Sequence, residues 1–281
     1  MKEKRLDFEL LRIFAIFGVV FNHTELRGFE LYMLPECSGV NYTASLLLGI
    51  LCKIAVPLFF LVSGGLLLDR EEPIRTLLKK RVLRVAAALG IFSVALYLFH
   101  VAWGYVPSPG AWDFLKGLWK GNLCAPYWYL YTYLGLLLLL PLLRPMVRNM
   151  PDWAFVYLTA LHLILHGVLE PIGIITGWGS VTSDLLLPLA EPSLFYFLMG
   201  YYLACRFPWE KLTGKRLAML WGGALISVAG IYLLADFRFR WYHNGIEYLK
   251  CLLAPMVFAV YATAYRLCRR HPLGLRERRG V

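Results

Sequence analysis

The chain has 281 residues, of which 59% are hydrophobic and 17% are charged, and its formal net charge is +11. Water-soluble domains are typically about half apolar and a quarter charged, so this composition argues against a soluble globular protein. The apolar residues fall in blocks of roughly 20, the helix length that crosses a bilayer. Continuous apolar stretches such as Leu134–Leu140 exclude the alternating strands of a membrane β-barrel.

The blocks predict an all-α fold, a polytopic transmembrane helix bundle of about eight helices. The predicted spans are residues 8–26, 42–68, 83–105, 127–148, 153–175, 184–205, 216–236 and 246–267. Pro and Gly mark the connections between them. The sequence has no internal repeat, heptad pattern or low-complexity tract, so we predict a single membrane domain over residues 1–281.

The first block is interpreted as a membrane span and not as a cleaved signal peptide. It carries Arg12 and ends at Asn22 and His23 without a small-residue cleavage site. An inner N-terminus places most of the 29 Lys and Arg residues in loops on the cytoplasmic side. Both termini are therefore predicted to be cytoplasmic.

This orientation explains the positive charge without nucleic acid as a partner. No platform of basic and aromatic residues for a single strand lies outside the apolar blocks, so we expect a lipid bilayer and no nucleic acid. Aromatic side chains of the outer segments are predicted to form a belt at the membrane interface: Trp103, Trp112, Trp119, Trp178, Trp241 and Tyr242.

Two of the six cysteines fall in predicted outer loops. Cys37 and Cys124 could form a disulfide there or remain free thiols, because their spacing fits no disulfide framework.

Arg12 and His23 are the most suggestive pair of polar residues in the first span. Eleven residues apart, they lie within ~20° of one helix face and about 16 Å apart along the axis. One interpretation is that Arg12 reaches the inner interface and His23 caps the outer end of the helix. The other is a buried general base at His23, since imidazole titrates near working pH. Asp7 lies just before this pair.

A basic cluster, Lys79 to Arg84, precedes the third span. Ordinary positive-inside charge or anionic lipid explains such a cluster. Alternatively, Arg81 and Arg84 are three residues apart on a helix, so both guanidinium groups can converge on one polyanion.

Other polar or small residues within the spans have alternative interpretations. Ser63, Gly64 and Gly65 allow close helix packing or open the backbone for a ligand. His162, His166 and Glu170 share one helix face and are predicted to line a cavity, with no metal expected because further ligands are missing. Glu191 beside Pro192 is predicted to face the bundle interior. No Gly-rich phosphate loop, Cys-x-x-Cys pair or Gly-x-Ser-x-Gly elbow is present.

These motifs together resemble the membrane-bound acyltransferase-3 family of bacteria. The segment Arg5–His23 is similar to the first helix of that family, whose hallmark is Arg, ten residues and then His. The remaining similar segments, in the family's order, are Val56–Gly64, the Arg-x-x-Arg motif at Arg81–Arg84, Tyr127–Leu130 with its Trp128, and Phe197–Leu203.

The resemblance implies an O-acyltransferase, usually an O-acetyltransferase, of the bacterial inner (cytoplasmic) membrane. The donor would be acyl-CoA (acetyl-CoA), and the acceptor an envelope glycan or lipid-linked sugar. His23 would be the catalytic base or acyl relay, and Arg12 would help to hold the site. Arg81 and Arg84 would bind donor phosphates. Asp7, Ser63, Trp128 and Glu191 are further residues expected to line the cavity.

One departure from the family pattern concerns the C-terminus. The family usually has about ten helices, whereas this chain stops after the eighth predicted span, so a truncated and inactive member is one alternative. A small-molecule transporter is another, although such proteins favour paired broken helices in symmetric halves, which the sequence does not show.

Overall fold

The computed structural model describes residues 5–24, 27–106, 109–121, 123–178, 191–242 and 252–270. These ranges are almost entirely helical and contain no strand, so the all-α prediction is confirmed. The helices are α1 (Leu6–Asn22), α2 (Gly39–Lys53), α3 (Ala55–Leu67), α4 (Ile74–Ala102), α5 (Ala111–Lys120), α6 (Trp128–Asn149), α7 (Asp152–Ile164, continued to Thr176), α8 (Pro192–Tyr201), α9 (Gly214–Tyr242) and α10 (Leu253–Arg270).

Five helical stretches in the described ranges are long and apolar enough to cross a membrane: Gly39–Leu67, Ile74–Ala102, Ala125–Asn149, Asp152–Gly173 and Gly214–Phe237. In α4 the most apolar window has a mean hydropathy of 2.1, yet only 11% of it is buried inside the protein. An apolar helix with so little protein cover requires lipid around it. A multi-pass membrane protein follows, while the count of eight spans and the cytoplasmic termini stay predictions. Residues 184–190 and 246–251 of two predicted spans lie outside the described residues.

The chain divides into two compact units, the first formed by residues 1–66 and 151–281. In this unit α1 packs against α2 and α10, α9 packs against α10 and α2, and α7 packs against α8. Its core contains fully buried aromatic and aliphatic side chains, including Ala15, Leu58, Phe195, Phe197 and Tyr261.

Glycine brings α3 and α8 into backbone contact in the first unit. A methyl group on Gly64 would collide with the carbonyl oxygen of Phe197, and one on Gly200 would collide with that of Leu61. Small residues allow this closeness between membrane helices. Of the two interpretations of the Ser63–Gly65 segment, close helix packing is therefore the one that the contact of Gly64 supports.

The second unit, residues 67–150, consists of α4, α5 and α6. The short helix α5 was absent from the predicted spans, because ten residues with Lys and Asp among them do not form a continuous apolar block. Two tyrosines hold it: the Tyr97 hydroxyl donates to the Gly110 carbonyl at 3.1 Å, and the Tyr131 hydroxyl donates to the Leu118 carbonyl at 2.6 Å.

Among the described residues three helices contain a π-helical turn, and the α2–α3 helix is broken at Ile54. Pro57 accounts for the break, because it has no N–H for the carbonyl four residues earlier. Two of the π turns contain residues singled out from the sequence: Leu78–Val82 contains Arg81, and Leu165–Leu169 contains His166. Such turns are frequent at functional sites.

Candidate active site

His23 lies at the C-terminal end of α1. The helix ends at Asn22, and His23 is the C-cap residue, with an exposed side chain and φ and ψ of −107° and 15°. Its N–H donates to the Val20 carbonyl at 3.1 Å. The imidazole therefore lies at the end of α1 and is exposed, not buried as one of the two interpretations of the sequence had it.

The neighbours of His23 on both sides are fixed by hydrogen bonds. The Asn22 amide donates to the Cys52 carbonyl oxygen at 3.0 Å. The Thr24 hydroxyl donates to the Phe21 carbonyl at 2.7 Å and accepts from the Phe29 N–H at 2.9 Å. These bonds hold the backbone of His23 against the broken helix α2–α3 and restrict where the imidazole can lie.

The C-terminal half of α1 packs against the broken part of α2–α3. A methyl group at Gly18 would lie 2.9 Å from the Cβ of Ala55, so the two helices are in close contact there. Lys53, the last residue of α2, places its ammonium 4.3 Å from the ring centre of Phe29. A cation within an apolar block is costly without a partner, and the Phe29 ring supplies one for Lys53.

Arg12 and Asp7 form ion pairs with residues near them in the sequence. Arg12 donates to Glu9, one helical turn away, at 2.9 Å, and both side chains are substantially exposed. The buried carboxylate of Asp7 binds the Arg5 guanidinium at 2.6 Å. Arg5 also donates to the Ala204 carbonyl and the Tyr261 hydroxyl, each at 3.4 Å. Asp7 therefore anchors the start of α1 through Arg5.

In the second unit, one carboxylate organises the arginines. An oxygen of Glu72 accepts hydrogen bonds from Arg81 Nε at 2.8 Å and from Arg144 Nη2 at 2.9 Å. Arg144 also donates from Nε to the Leu67 carbonyl at 3.1 Å. Burial alone would raise the pKa of Glu72, but hydrogen bonds and positive charge from the two arginines bring that pKa below its ordinary value of 4.5.

Arg84 is exposed and has no hydrogen bond or ion pair with the residues that the structure describes. Arg81 lies in the π turn and Arg84 in the α-helical part that follows, so the three-residue spacing is not that of a regular α-helix. The structure brings Arg81 together with Arg144 through Glu72. The sequence did not predict that association, because Arg144 is 72 residues away from Glu72.

Comparison with known proteins decides the family. A family model described as an acyltransferase domain matches residues 5–273, almost the whole chain. The chain belongs to acyltransferase family 3. No curated protein and no solved structure matched the sequence.

Two other residues expected to line the cavity of this acyltransferase lie near helix ends or packing surfaces. Glu191 is exposed, and its carboxylate accepts from the Leu194 N–H at 3.0 Å and from the Ser193 hydroxyl at 3.0 Å. The prediction that it faces the bundle interior is wrong, since an acidic residue before Pro at N1 caps the helix. Ser63 is half-buried beside the glycine contact of α3 and α8.

Trp128 begins α6 and is about half exposed, with its ring 6.4 Å from that of Tyr129 in an edge-on arrangement. It lies in the second unit of the acyltransferase, at the helix end where the sequence predicts the outer interface.

The two histidines of α7 pack against aromatic residues in the first unit. His162 is buried and its ring stacks on Phe195 with centres 3.9 Å apart, while the ring of His166 lies 4.6 Å from that of His162. Within the described ranges no group of three or more His, Cys, Asp or Glu side chains is arranged to hold a metal ion. Cys37 and Cys124 are free thiols.

Proposed function

We propose that this acyltransferase moves an acyl group, acetyl in the simplest case, from cytoplasmic acyl-CoA to a hydroxyl of an envelope saccharide or lipid-linked sugar. Its location would be the cytoplasmic membrane of a bacterium. The observation that carries the proposal is the family match over residues 5–273, which includes the Arg12–His23 motif and the Arg81–Arg84 motif.

In this proposal His23 is the general base. Its neutral imidazole takes the proton from the acceptor hydroxyl while the oxygen attacks the thioester carbonyl carbon. The carbon–sulfur bond then breaks, and the imidazolium returns the proton to the leaving CoA thiolate, so the products are an ester and free CoA. A positioned general base contributes on the order of 10²–10⁴-fold in rate.

The surroundings of His23 suit that role. The side chain is exposed at a helix end, so an acceptor can reach it, and hydrogen bonds of Asn22 and Thr24 restrict its backbone. Holding a reacting group in one place removes part of the entropic barrier. Arg12 on the same helix would help to hold the site, and Arg81 and Arg84 would bind donor phosphates as planar guanidinium groups do.

Transfer of label from radioactive acetyl-CoA to the envelope fraction tests the proposal. Membranes that contain the wild-type protein should move label into base-labile esters, and His23→Ala membranes should move almost none. His100→Ala is the matched control, because His100 lies in the last turn of α4 in the other unit. Equal transfer by wild type and His23→Ala would contradict the proposal, as would label taken up across the membrane without ester formation.

A further inference from the structure

A pocket of about 460 Å³ opens in the second unit beside the loop that joins α3 to α4. Its polar lining comes from Arg70, Glu71, Glu72, Arg144 and Arg148. The volume falls within the roughly 300–1,000 Å³ of small-molecule sites. Three arginines and two glutamates line it, so the pocket carries a net positive charge before Arg81 is considered.

Arg144 is held in one orientation although it lies within an apolar helix. It is 8% exposed, with Nε bound to the Leu67 carbonyl and Nη2 bound to Glu72. These two bonds leave the N–H groups of Nη1 for another acceptor. A buried arginine with unused donors at the wall of a pocket is suited to an anion.

Arg148 and Arg70 add cations that an anion can engage at low cost. Arg148 donates to Glu71 at 2.9 Å and, more weakly, to the Asp69 carbonyl at 3.3 Å; Glu71 is 83% exposed, and exposed ion pairs contribute little to stability. Arg70 has no hydrogen bond or ion pair with the described residues. A phosphate entering the pocket would therefore compete with one weak ion pair and one long, exposed hydrogen bond, and would gain two guanidinium groups.

Glu72 explains how the arginines keep their geometry. It accepts from both Arg81 and Arg144 on a single oxygen, at 2.8 and 2.9 Å, and its side chain is 13% exposed. Arg81 uses only Nε for this bond, so both of its terminal nitrogens remain. One carboxylate thus fixes two guanidinium groups whose remaining donors are unused.

We propose that this pocket binds the phosphate groups of a nucleotide, with Arg70, Arg144 and Arg148 as its ligands and Glu72 as the positioning residue for Arg144 and Arg81. The inference rests on the proposed function in one respect, because it identifies the nucleotide with the CoA part of the acyl donor. The same phosphate chemistry occurs in anionic lipid headgroups, which the test must separate.

Binding of adenosine 3′,5′-bisphosphate to the full-length protein in nanodiscs, measured by calorimetry, tests the pocket without requiring turnover. Arg70→Ala and Arg148→Ala should each weaken binding on the order of tenfold. Arg75→Ala is the matched control, since Arg75 is exposed on the same segment but does not line the pocket. Unchanged affinity in the Arg70→Ala and Arg148→Ala proteins would overturn the proposal.

Glu72→Gln distinguishes positioning from simple charge. Removing a negative charge should tighten anion binding if only net charge matters, whereas loss of the carboxylate that orients Arg144 and Arg81 should weaken it. Weaker binding supports the positioning role, and tighter binding overturns it. The variant retains size and one acceptor oxygen, and its folding is checked by thermal unfolding.

Nanodiscs of phosphatidylcholine and of phosphatidylglycerol separate the two sources of phosphate. Arginine-dependent nucleotide binding in phosphatidylcholine supports the proposal. Arginine-dependent retention of phosphatidylglycerol without nucleotide binding would make the pocket a lipid site and overturn it. The proposed function can fail separately from the pocket. If the protein binds the nucleotide through these arginines but transfers no acyl group, the pocket proposal stands and the proposed donor and acceptor are wrong.

Discussion

The side-chain amide of Asn22 donates a 3.0 Å hydrogen bond to the carbonyl oxygen of Cys52, at the broken part of α2–α3. Asn22 immediately precedes His23, so this bond fixes the proposed base to the helix that α1 packs against. The activity of the protein should therefore depend on a residue that does no chemistry itself.

Asn22→Leu should lower the rate of acyl transfer about tenfold or more, while the free energy of unfolding falls by about 1 kcal/mol, the usual contribution of one hydrogen bond. The reason is that His23 loses the bond that restricts it. Initial rates and thermal unfolding in detergent measure the two effects. Asn149→Leu is a matched control, because it removes a bond to the Pro145 carbonyl at the end of α6. Equal rate losses in both variants would contradict the role of Asn22.

The glycine contact of α3 with α8 predicts a large effect from one methyl group. Gly200→Ala places that methyl against the Leu61 carbonyl, and overpacking of this kind costs about 1–3 kcal/mol. The melting temperature in detergent should fall clearly. Gly90→Ala, at a glycine with open space around it, should leave it unchanged or raise it slightly. A tolerant Gly200 would show that α3 and α8 do not touch.

The ion pairs of Glu72 predict how stability changes with pH. Because its pKa is lowered in the folded protein, its contribution is fully present above the ordinary value of 4.5 and is lost as the pH falls through the lowered value. Glu72→Gln should thus be less stable than wild type at neutral pH, and the difference should shrink in acid below pH 4.5. Thermal unfolding across this range measures it, with exposed Glu210→Gln as the control. A difference independent of pH would contradict the ion-pair account.

The helix α5 is expected to lie at the membrane interface. Trp112 and Trp119 are 76% and 91% exposed on one side of a helix that two tyrosines hold, and Trp prefers the lipid headgroup region. Brominated phosphatidylcholine should quench much less fluorescence in a Trp112→Phe, Trp119→Phe protein. Trp209→Phe, whose ring stacks on Tyr265, should change the quenched fraction little. Quenching of Trp112 and Trp119 by aqueous iodide instead would place α5 in water.

Local sequence signals predicted the fold class and the family, while the roles of the site residues stay predictions. Apolar blocks of about 20 residues gave the long helices, and the ten-residue interval between Arg12 and His23 led to the family that the match over 5–273 confirms. His23 is the C-cap residue of α1, as one of the two interpretations of the sequence predicted. The short amphipathic α5 gave no apolar block and was not predicted.

Contacts between residues far apart in the sequence could not be predicted from a single sequence. Glu72 and Arg144 belong to different segments, and a single sequence does not indicate that Arg81, in a π-helical turn, binds the same Glu72 oxygen as Arg144. Pro57 is a sequence signal for the break at Ile54. The hydrogen bond from the Asn22 amide to the Cys52 carbonyl beside that break depends on how the helices pack. The position of Glu191 within an apolar block predicted a side chain facing the bundle interior, whereas Pro192 after it is a helix-start signal and indicates a capping residue.

Steady-state kinetics of the purified protein in proteoliposomes test the central claim most directly. With acetyl-CoA outside and a saccharide acceptor supplied, His23→Ala should lower kcat by about 10²–10⁴-fold while the dissociation constant for CoA stays unchanged, because a general base acts on the acceptor proton and not on donor binding. A His23→Ala protein with near-wild-type kcat, or one that loses only CoA affinity, would contradict the account.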